Sequence, residues 1–344
     1  SISERWNVFC EAAVDGEDDD SIVVNINDLC RCLFKKYESS SQPFFSNAGR
    51  GLVAAVMLYM MREKRDGGGT NEQICNMDLV DWFERSLADD YKQMVQKYSD
   101  LSNVNLYLGD GKNNQALGVL SEAIVMIKDS FFGVFGEAGD FSIREFVRKK
   151  LNFPSMTRNS MDATDLTVAV GPLLSRPIIG EALSQVYSLL LDLALKEALG
   201  RQEKKERGNV YVIIDEFKLL PNLTHIDDAV NFGRSMGLKV AAGLQSMAQL
   251  YDVYGKDKGL SIAAGFSSVM AFRSNDWLTT EYVRDAFGLN YLSETTLAGS
   301  LPSTERREGH VVEAWEVSKL KPGEAFIRII ENSPFKFKFK EYER

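Results

Sequence analysis

The sequence has few of the residues that mark metal-binding or disulfide-bonded proteins. Cysteine occurs four times in 344 residues, always in the first quarter of the chain, and histidine occurs twice. Only Cys30 and Cys32 lie close together, and His225 and His310 are distant from both, so no set has the spacing of a zinc site. We expect the cysteines to be reduced and partly buried, as in a cytoplasmic protein.

Long apolar runs are also missing. The longest stretches, such as residues 52–61, fall well short of the roughly 20 apolar residues that a membrane-spanning helix requires. We therefore expect no transmembrane segment and a soluble polypeptide. The chain starts at Ser1 without the charged, apolar and cleavable leader of a secreted protein, and its start resembles the interior of a longer protein.

The balance of charge is acidic. Asp and Glu number 49 against 40 Lys and Arg, a net charge of −9, so the surface as a whole repels nucleic acid and any DNA contact must be local. With 44% hydrophobic and 26% charged residues, the composition is globular, and the length suffices for two domains with their own cores.

The first part of the chain has the apolar periodicity of helices. Apolar residues recur at helical spacing, with Asp, Asn or Ser near the start and glycine-rich breaks between segments. The segments are Ser21–Glu38, Pro43–Arg65, Asn76–Ser99 and Asn113–Phe135. We therefore predict an all-α domain over residues 20–150.

After Pro154, short apolar strands alternate with helical segments. The predicted strands are 165–170, 209–214, 238–242, 269–273 and 325–330, and residues 180–199 form an apolar helix. Continuous apolar strands between helices predict an α/β domain over residues 151–344, with a mainly parallel sheet covered on both faces. The alternating Phe and Lys of 335–339 instead predict an antiparallel edge strand with one covered face.

The sharpest local motif is an apolar strand that ends in two acids, Asp215 and Glu216. In an open α/β sheet, such acids lie at the carboxyl edge, where ligands bind. In a nucleotide hydrolase, the first acid would hold Mg²⁺ and the second would polarise the attacking water. The alternative is a buried strand that simply leaves the sheet through a polar turn.

A second strand, 238–242, also runs into a polar end. Gln245 could sense a γ-phosphate there, because its side-chain amide donates hydrogen bonds. Alternatively, this polar end starts the next helix, with Ser246 as its cap.

An arginine flanked by glycine, Arg234, follows a predicted helix between these two strands. It could reach across a subunit interface and stabilise charge during phosphoryl transfer. The alternative is a solvated charge at the C-terminus of that helix.

The phosphate-binding loop of such hydrolases is absent from the sequence. That loop requires Gly-x-x-x-x-Gly-Lys followed by Ser or Thr, because its amides surround the phosphates and its hydroxyl binds Mg²⁺. The Gly-Lys pairs at 111–112 and 255–256 are followed by Asn113 and Asp257, and neither has the spaced upstream glycine. This chain therefore contains no Walker A motif.

Taken in order, the motifs of the whole chain resemble those of the type IV secretion coupling proteins, in their TraG/TraD branch. The matching segments are Trp6-Asn7-Val8-Phe9, Pro43-Phe44-Phe45 leading into Ala48-Gly49-Arg50, Phe141-Ser142-Ile143-Arg144-Glu145, Ile214-Asp215-Glu216-Phe217 with Leu219-Leu220-Pro221-Asn222-Leu223, Gly233-Arg234, Gly243-Leu244-Gln245-Ser246 with Gln249-Leu250, Phe272-Arg273-Ser274-Asn275-Asp276 and Leu320-Lys321-Pro322-Gly323-Glu324. Each segment is short, but their shared order and spacing make the resemblance specific.

The resemblance implies a RecA-like P-loop ATPase motor domain with an inserted all-α domain, residues 1–19 being the end of the first RecA-like segment. It implies ATP and Mg²⁺ as cofactors, with Asp215 and Glu216 as the Walker B pair and Asp215 as the Mg²⁺ ligand. Gln245 would be the γ-phosphate sensor and Arg234 a trans-acting arginine finger. Arg273 would also serve the nucleotide at the subunit interface.

The resemblance also implies a cellular role. Members form homo-hexamers at the cytoplasmic face of the bacterial inner membrane. They receive a relaxase on single-stranded DNA, or secreted proteins, and drive them by ATP hydrolysis to the channel formed by other secretion components. Family members carry a membrane anchor and a P-loop upstream of the Trp-Asn segment. We therefore interpret this chain as a fragment that lacks both, and expect no hydrolysis from it alone.

Two other functions fit the residues. One is a non-hydrolytic platform that docks relaxosome or effector proteins on the helical domain, which the missing P-loop favours. The other is a different RecA-like DNA translocase of the FtsK or HerA kind, which a large helical insertion after a Trp-Asn strand disfavours. The acids Asp215 and Glu216 favour a motor over a platform.

Overall fold

Helices make up most of the first 200 residues of the computed structural model, which describes residues 4–16, 18–37, 43–109, 114–152, 177–200, 210–221, 223–298, 301–330 and 332–340. These helices are α1 (Val8–Ala12), α2 (Asp19–Leu33), α3 (Pro43–Asp66), α4 (Asn76–Arg85), α5 (Ala88–Lys97), α6 (Val104–Leu108), α7 (Asn114–Ser130), α8 (Ile143–Asn152) and α9 (Pro177–Leu199). The predicted helical character of this region is confirmed, whereas the predicted strand 165–170 lies outside the described residues.

Strands and helices alternate in the rest of the chain. The elements are β1 (Val210–Ile214), α10 (Ile226–Asn231), β2 (Leu238–Ala242), α11 (Met247–Tyr254), α12 (Lys256–Gly265), β3 (Val269–Ala271), α13 (Trp277–Phe287), β4 (Leu289–Ala298), β5 (Leu301–His310), α14 (Ala314–Ser318), β6 (Glu324–Arg328) and β7 (Phe335–Lys338). β1 pairs with β2, β4 with β5, and β6 lies between β3 and β7.

The chain divides into two compact units. The first comprises Ser1–Val210 with the short segments Leu219–Ile226 and Ser235–Leu238, and the second comprises the remaining residues. The predicted domain boundaries at residues 19/20 and 150/151 fall inside the first unit and stay predictions.

The core of the first unit forms around α3. Along this helix Leu52, Val53 and Val56 have no exposed surface, and they pack in one cluster with residues of α2 and α7. Among the described helices, α3 is long and apolar enough to cross a membrane, although no such segment was expected from the sequence. However, 61% of its most apolar window is buried within the protein. That burial is typical of the core helix of a globular domain.

The two ends of the long helical segment lie side by side. Trp6 forms a parallel β-bridge with Phe141, and the Asn7 amide nitrogen donates to the Phe141 carbonyl at 2.9 Å. The Asn7 side chain caps α1 and also donates to the carbonyls of Ile74 and Gly139, each at 2.7 Å. A single buried asparagine therefore joins the entry of the segment to its exit.

The three-stranded sheet of the second unit is antiparallel. Ala271 of β3 pairs with Phe326 of β6, and Ala325 of β6 pairs with Phe337 of β7, both in antiparallel register. These three strands depart from the predicted mainly parallel sheet, because the connection from β3 to β6 begins and ends at the same end of the sheet, so that β6 runs opposite to β3. One face is covered by α13 and α14.

The edge position predicted for the Phe and Lys alternation is confirmed, since β7 pairs only with β6 among the described strands. The covered face expected for it is not found. Phe335 and Phe337 remain 42% and 45% exposed. Lys336 forms an ion pair with Glu324 of β6 at 3.0 Å, as is common for lysines that protect an edge strand.

The hairpin of β4 and β5 was not predicted. Its two ten-residue strands pair continuously from Leu289 opposite His310 to Ala298 opposite Leu301. The sequence gives little sign of it, because polar residues such as Glu294 and Thr295 interrupt any apolar alternation and Pro302 lies within the second strand.

Candidate functional site

Two acids follow β1 directly. β1 is a β-branched run whose last residue, Ile214, is buried, and the chain then leaves the sheet at Asp215 and Glu216. The Asp215 side chain is exposed, whereas Glu216 is half-buried. Phe217, 1% exposed, stacks on Tyr254 of α11 with the ring centroids 5.4 Å apart. The carboxylates are thus held between a buried strand end and a buried aromatic ring.

A glycine in the chain after β2 fixes the position of these acids. The Gly243 amide donates to the Ile214 carbonyl at 2.7 Å, and the Phe217 amide donates to the Gly243 carbonyl at 3.0 Å. A Cβ atom at Gly243 would lie 2.2 Å from the carbonyl oxygen of Asp215. Because no side chain fits in that space, glycine is required for the two segments to approach.

The approach at Gly243 brings Gln245 beside the second acid. The Gln245 Nε2 atom donates a hydrogen bond to Glu216 Oε2 at 2.7 Å. The other carboxylate oxygen, Glu216 Oε1, is buried and has no hydrogen-bond partner in the described part of the chain. A buried acceptor of this kind can bind a donor such as water.

The alternative interpretation, in which this polar segment starts the next helix with Ser246 as its cap, holds as well. The Ser246 side chain accepts from the Gln249 amide at 3.3 Å and so caps α11. The Met247 backbone amide donates to the hydroxyl oxygen of Thr279 on α13 at 2.9 Å. Capping by Ser246 and the contact from Gln245 to Glu216 therefore coexist.

Asp215 is the residue that could hold a metal ion. Magnesium in nucleotide sites is usually bound by one or two carboxylates together with phosphate oxygens and water. Within the described ranges, no group of three or more His, Cys, Asp or Glu side chains could form a self-sufficient metal site. The single exposed carboxylate of Asp215 fits a shared site of the magnesium type.

The two candidate arginines lie apart from this pair. Arg234 is exposed in the turn between α10 and β2, and Arg273 is exposed immediately after β3. For the residues that the structure describes, no hydrogen bond or ion pair joins either arginine to Asp215, Glu216 or Gln245. The structure therefore brings together the acids and the amide, but neither arginine.

Sequence reasoning missed the anchoring of His225. The carboxylate of Asp192 on α9 is 4% exposed and accepts from the amides of Thr224 and His225 at 2.7 and 2.8 Å. It also bonds His225 Nδ1 at 2.9 Å, so the His225 side chain is anchored to α9. The available signal was an aspartate inside an otherwise apolar helix, where burial requires hydrogen-bond partners.

The solved structures that this chain resembles include conjugative coupling proteins. The unbound bacterial protein TrwBdeltaN70 matches with a TM-score of 0.70 and 21% identity, covering 99% of this chain and 71% of that one. TrwB in complex with ADP and Mg²⁺ matches with a TM-score of 0.67 and 21% identity, covering 99% and 72%. TrwB with the ATP analogue ADPNP matches with a TM-score of 0.67 and 21% identity, covering 99% and 71%.

These similarities confirm the RecA-like α/β fold with an all-α domain that the sequence predicted. Among curated proteins, no sequence matches the chain. The family model of the type IV secretion-system coupling protein DNA-binding domain matches residues 3–322, which is nearly the whole chain. This protein is therefore a member of the type IV secretion-system coupling protein family.

Proposed function

We propose that this chain carries the catalytic acid and the phosphate sensor of a conjugative coupling ATPase. The intact protein would use ATP hydrolysis to drive DNA or protein substrates into a secretion channel. The observation that supports this role most directly is the 2.7 Å hydrogen bond from Gln245 Nε2 to Glu216 Oε2. A docking platform would not require a carboxylate and an amide to meet at this sheet edge.

Each residue has a defined task in this proposal. Glu216 accepts the proton of the attacking water. Its buried Oε1, which has no hydrogen-bond partner among the described residues, is the atom suited to bind that water. Gln245 donates to the γ-phosphate through the same amide nitrogen that faces Glu216. Asp215 holds Mg²⁺, which neutralises phosphate charge when bound.

Arg234 and Arg273 act on the nucleotide of a neighbouring subunit in this proposal. Their exposure and their lack of ion pairs with the described acids of the site leave both guanidinium groups accessible to another chain. Such an arginine stabilises the charge that develops on the transferred phosphoryl group. A homo-hexamer at the cytoplasmic face of the inner membrane would provide this arrangement.

The nucleotide and the cargo are assigned in this proposal by analogy with the family. Related TrwB structures contain ADPNP, a GTP analogue, or ADP with Mg²⁺, and we assign ATP and Mg²⁺ to this protein by analogy. The cargo would be a relaxase on single-stranded DNA or secreted proteins, received together with other secretion components. The acidic net charge of −9 requires any DNA contact to be confined to a local basic surface.

The test is ATP hydrolysis by the product of the full reading frame. Glu216→Gln should lower kcat at least about 100-fold, which is the usual contribution of a general base to the rate, while nucleotide binding persists. Glu137→Gln is the control, because Glu137 lies in an exposed ion pair with Arg5. The 344-residue chain, which has no P-loop in its sequence, should bind ATP weakly and not hydrolyse it. Equal turnover by wild type and Glu216→Gln would refute the proposal.

A further inference from the structure

A second glutamine extends the contact between Gln245 and Glu216. Gln249 lies in the first turn of α11, and its Nε2 atom donates to Gln245 Oε1 at 3.3 Å. Gln245 Nε2 in turn donates to Glu216 Oε2 at 2.7 Å. The three side chains form one continuous chain of hydrogen bonds, which ends at Glu216, the proposed catalytic acid.

The chemistry of the three groups determines which atoms donate and which accept in this chain of hydrogen bonds. An ionised carboxylate only accepts hydrogen bonds, so the amide nitrogen of Gln245 must face Glu216. The amide oxygen of Gln245 then points away from Glu216 and requires a donor. Gln249 supplies that donor through its own amide nitrogen. Each amide therefore has one orientation that satisfies its neighbour.

The two glutamines differ in how firmly they are held. Gln245 is exposed and precedes the helix, whereas Gln249 is half-buried on α11. Met247 and Leu250 on this helix are 3% and 2% exposed, and the backbone amide of Gln249 donates to the side chain of Ser246, the helix cap. A long exposed side chain has many rotamers, and a hydrogen bond from a fixed helix restricts them.

Packing alone does not explain a glutamine at this position. The Gln249 Oε1 atom is buried and has no hydrogen-bond partner among the described residues. Burying an amide oxygen without a partner is unfavourable, and an apolar side chain of the same length would avoid it. The amide nitrogen of Gln249 is the group that makes a contact, and that contact is to Gln245.

We propose that Gln249 is a positioning residue, which fixes the amide of Gln245 and through it the carboxylate of Glu216. Gln249 itself touches neither water nor nucleotide in this role. The consequence for turnover rests on the proposed ATPase function, whereas the positioning of Gln245 does not. Loss of the Gln249 donor should therefore disorder Gln245 even where no ATP is hydrolysed.

The direct test uses the 344-residue chain labelled with ¹⁵N-glutamine. In Gln249→Met, which keeps the length but loses the donor, the side-chain amide signal of Gln245 should shift. The hydrogen exchange of this amide should also accelerate by up to about tenfold, which corresponds to the net contribution of one neutral hydrogen bond. Gln249→Glu, which places an acceptor against Gln245 Oε1, should do the same. Gln93→Met, at an exposed position on α5, should leave the Gln245 signal unchanged. An unmoved Gln245 signal in both Gln249 variants overturns the proposal.

Kinetics with the product of the full reading frame separate the two proposals. Gln249→Met should lower kcat with little change in KM, because the contact orients catalytic groups rather than binding substrate. If Glu216→Gln abolishes turnover and Gln249→Met does not affect it, the positioning role is wrong. If Glu216→Gln itself has no effect, the proposed function fails, whatever the Gln245 signal shows.

Discussion

Replacing Arg144 by methionine should destabilise the first unit more than any exposed arginine substitution. Arg144 lies at the start of α8, and its side chain is only 7% exposed. Its guanidinium donates to Asp15 at 2.7 Å, to Asn25 at 3.0 Å and to Glu197 of α9 at 3.2 Å. Methionine retains the bulk of the side chain but removes its charge and all of these donors.

The magnitude follows from what the substitution leaves behind. Removing one partner of a buried ion pair costs about 3–5 kcal/mol, because the remaining charge is no longer compensated. Arg148 also bonds both Asp15 and Glu197, so these carboxylates keep one cationic partner. We therefore expect the lower end, about 3 kcal/mol, which lowers Tm by roughly 6–12 °C for a unit of this size.

Thermal unfolding of the 344-residue chain, followed by circular dichroism at pH 7, measures this loss. Arg5→Met is the matched control, since Arg5 pairs with Glu137 at 2.9 Å and both side chains are more than half exposed. An exposed pair contributes at most about 1 kcal/mol, so the control should lower Tm by less than about 4 °C. If Arg144→Met lowers Tm no more than Arg5→Met does, the buried ion pairs do not stabilise this unit.

Two further predictions concern acid stability and backbone approach. Burial opposes ionisation of Asp15, but hydrogen bonds from Arg148 and Arg144 outweigh it and lower the pKa of Asp15 to about 2. Because this pKa is depressed in the folded state, its stabilisation is complete above about pH 4 and is lost as the pH falls towards 2. Urea unfolding between pH 5 and pH 2 should therefore show the advantage of wild type over Asp15→Asn shrinking by about 1–2 kcal/mol, after discounting for solvent screening. Gly243→Ala should lower the free energy of unfolding of the second unit by about 1–3 kcal/mol. It should also abolish the protection of the Gln245 side-chain amide from hydrogen exchange. Gly200→Ala, where a Cβ has its nearest contact at 3.5 Å, should be near neutral.

Helix periodicity predicted where the helices lie, but not every break between them. The prediction Pro43–Arg65 differs from α3 by one residue, because its apolar pattern is continuous. The single helix predicted over Asn76–Ser99 is instead α4 and α5. The second begins where the Asp90 carboxylate accepts from the Leu87 amide at 2.7 Å. That local capping interaction outweighs the periodicity and could have been found from an Asp three residues after a break.

The acids and the amide of the site could be predicted because each ends a recognisable strand. Asp215 and Glu216 follow β1, and Gln245 follows β2, so pairing of those strands places them at one edge. The roles proposed for Arg234 and Arg273 could not be examined in the same way. If they act between subunits, their partners lie on another chain, and neither the sequence nor the fold of one chain contains that contact.

The segment from Gly243 to Gln249 is best understood as one geometric unit. Gly243 permits a backbone approach that any Cβ would block, Gln245 uses that approach to reach Glu216, and Ser246 caps the helix that carries Gln249. Each residue type is needed for a different physical reason, and each depends on the one before it. A change at Gly243 should therefore affect the position of Glu216 as strongly as a change at Gln245, although glycine contributes no reactive group.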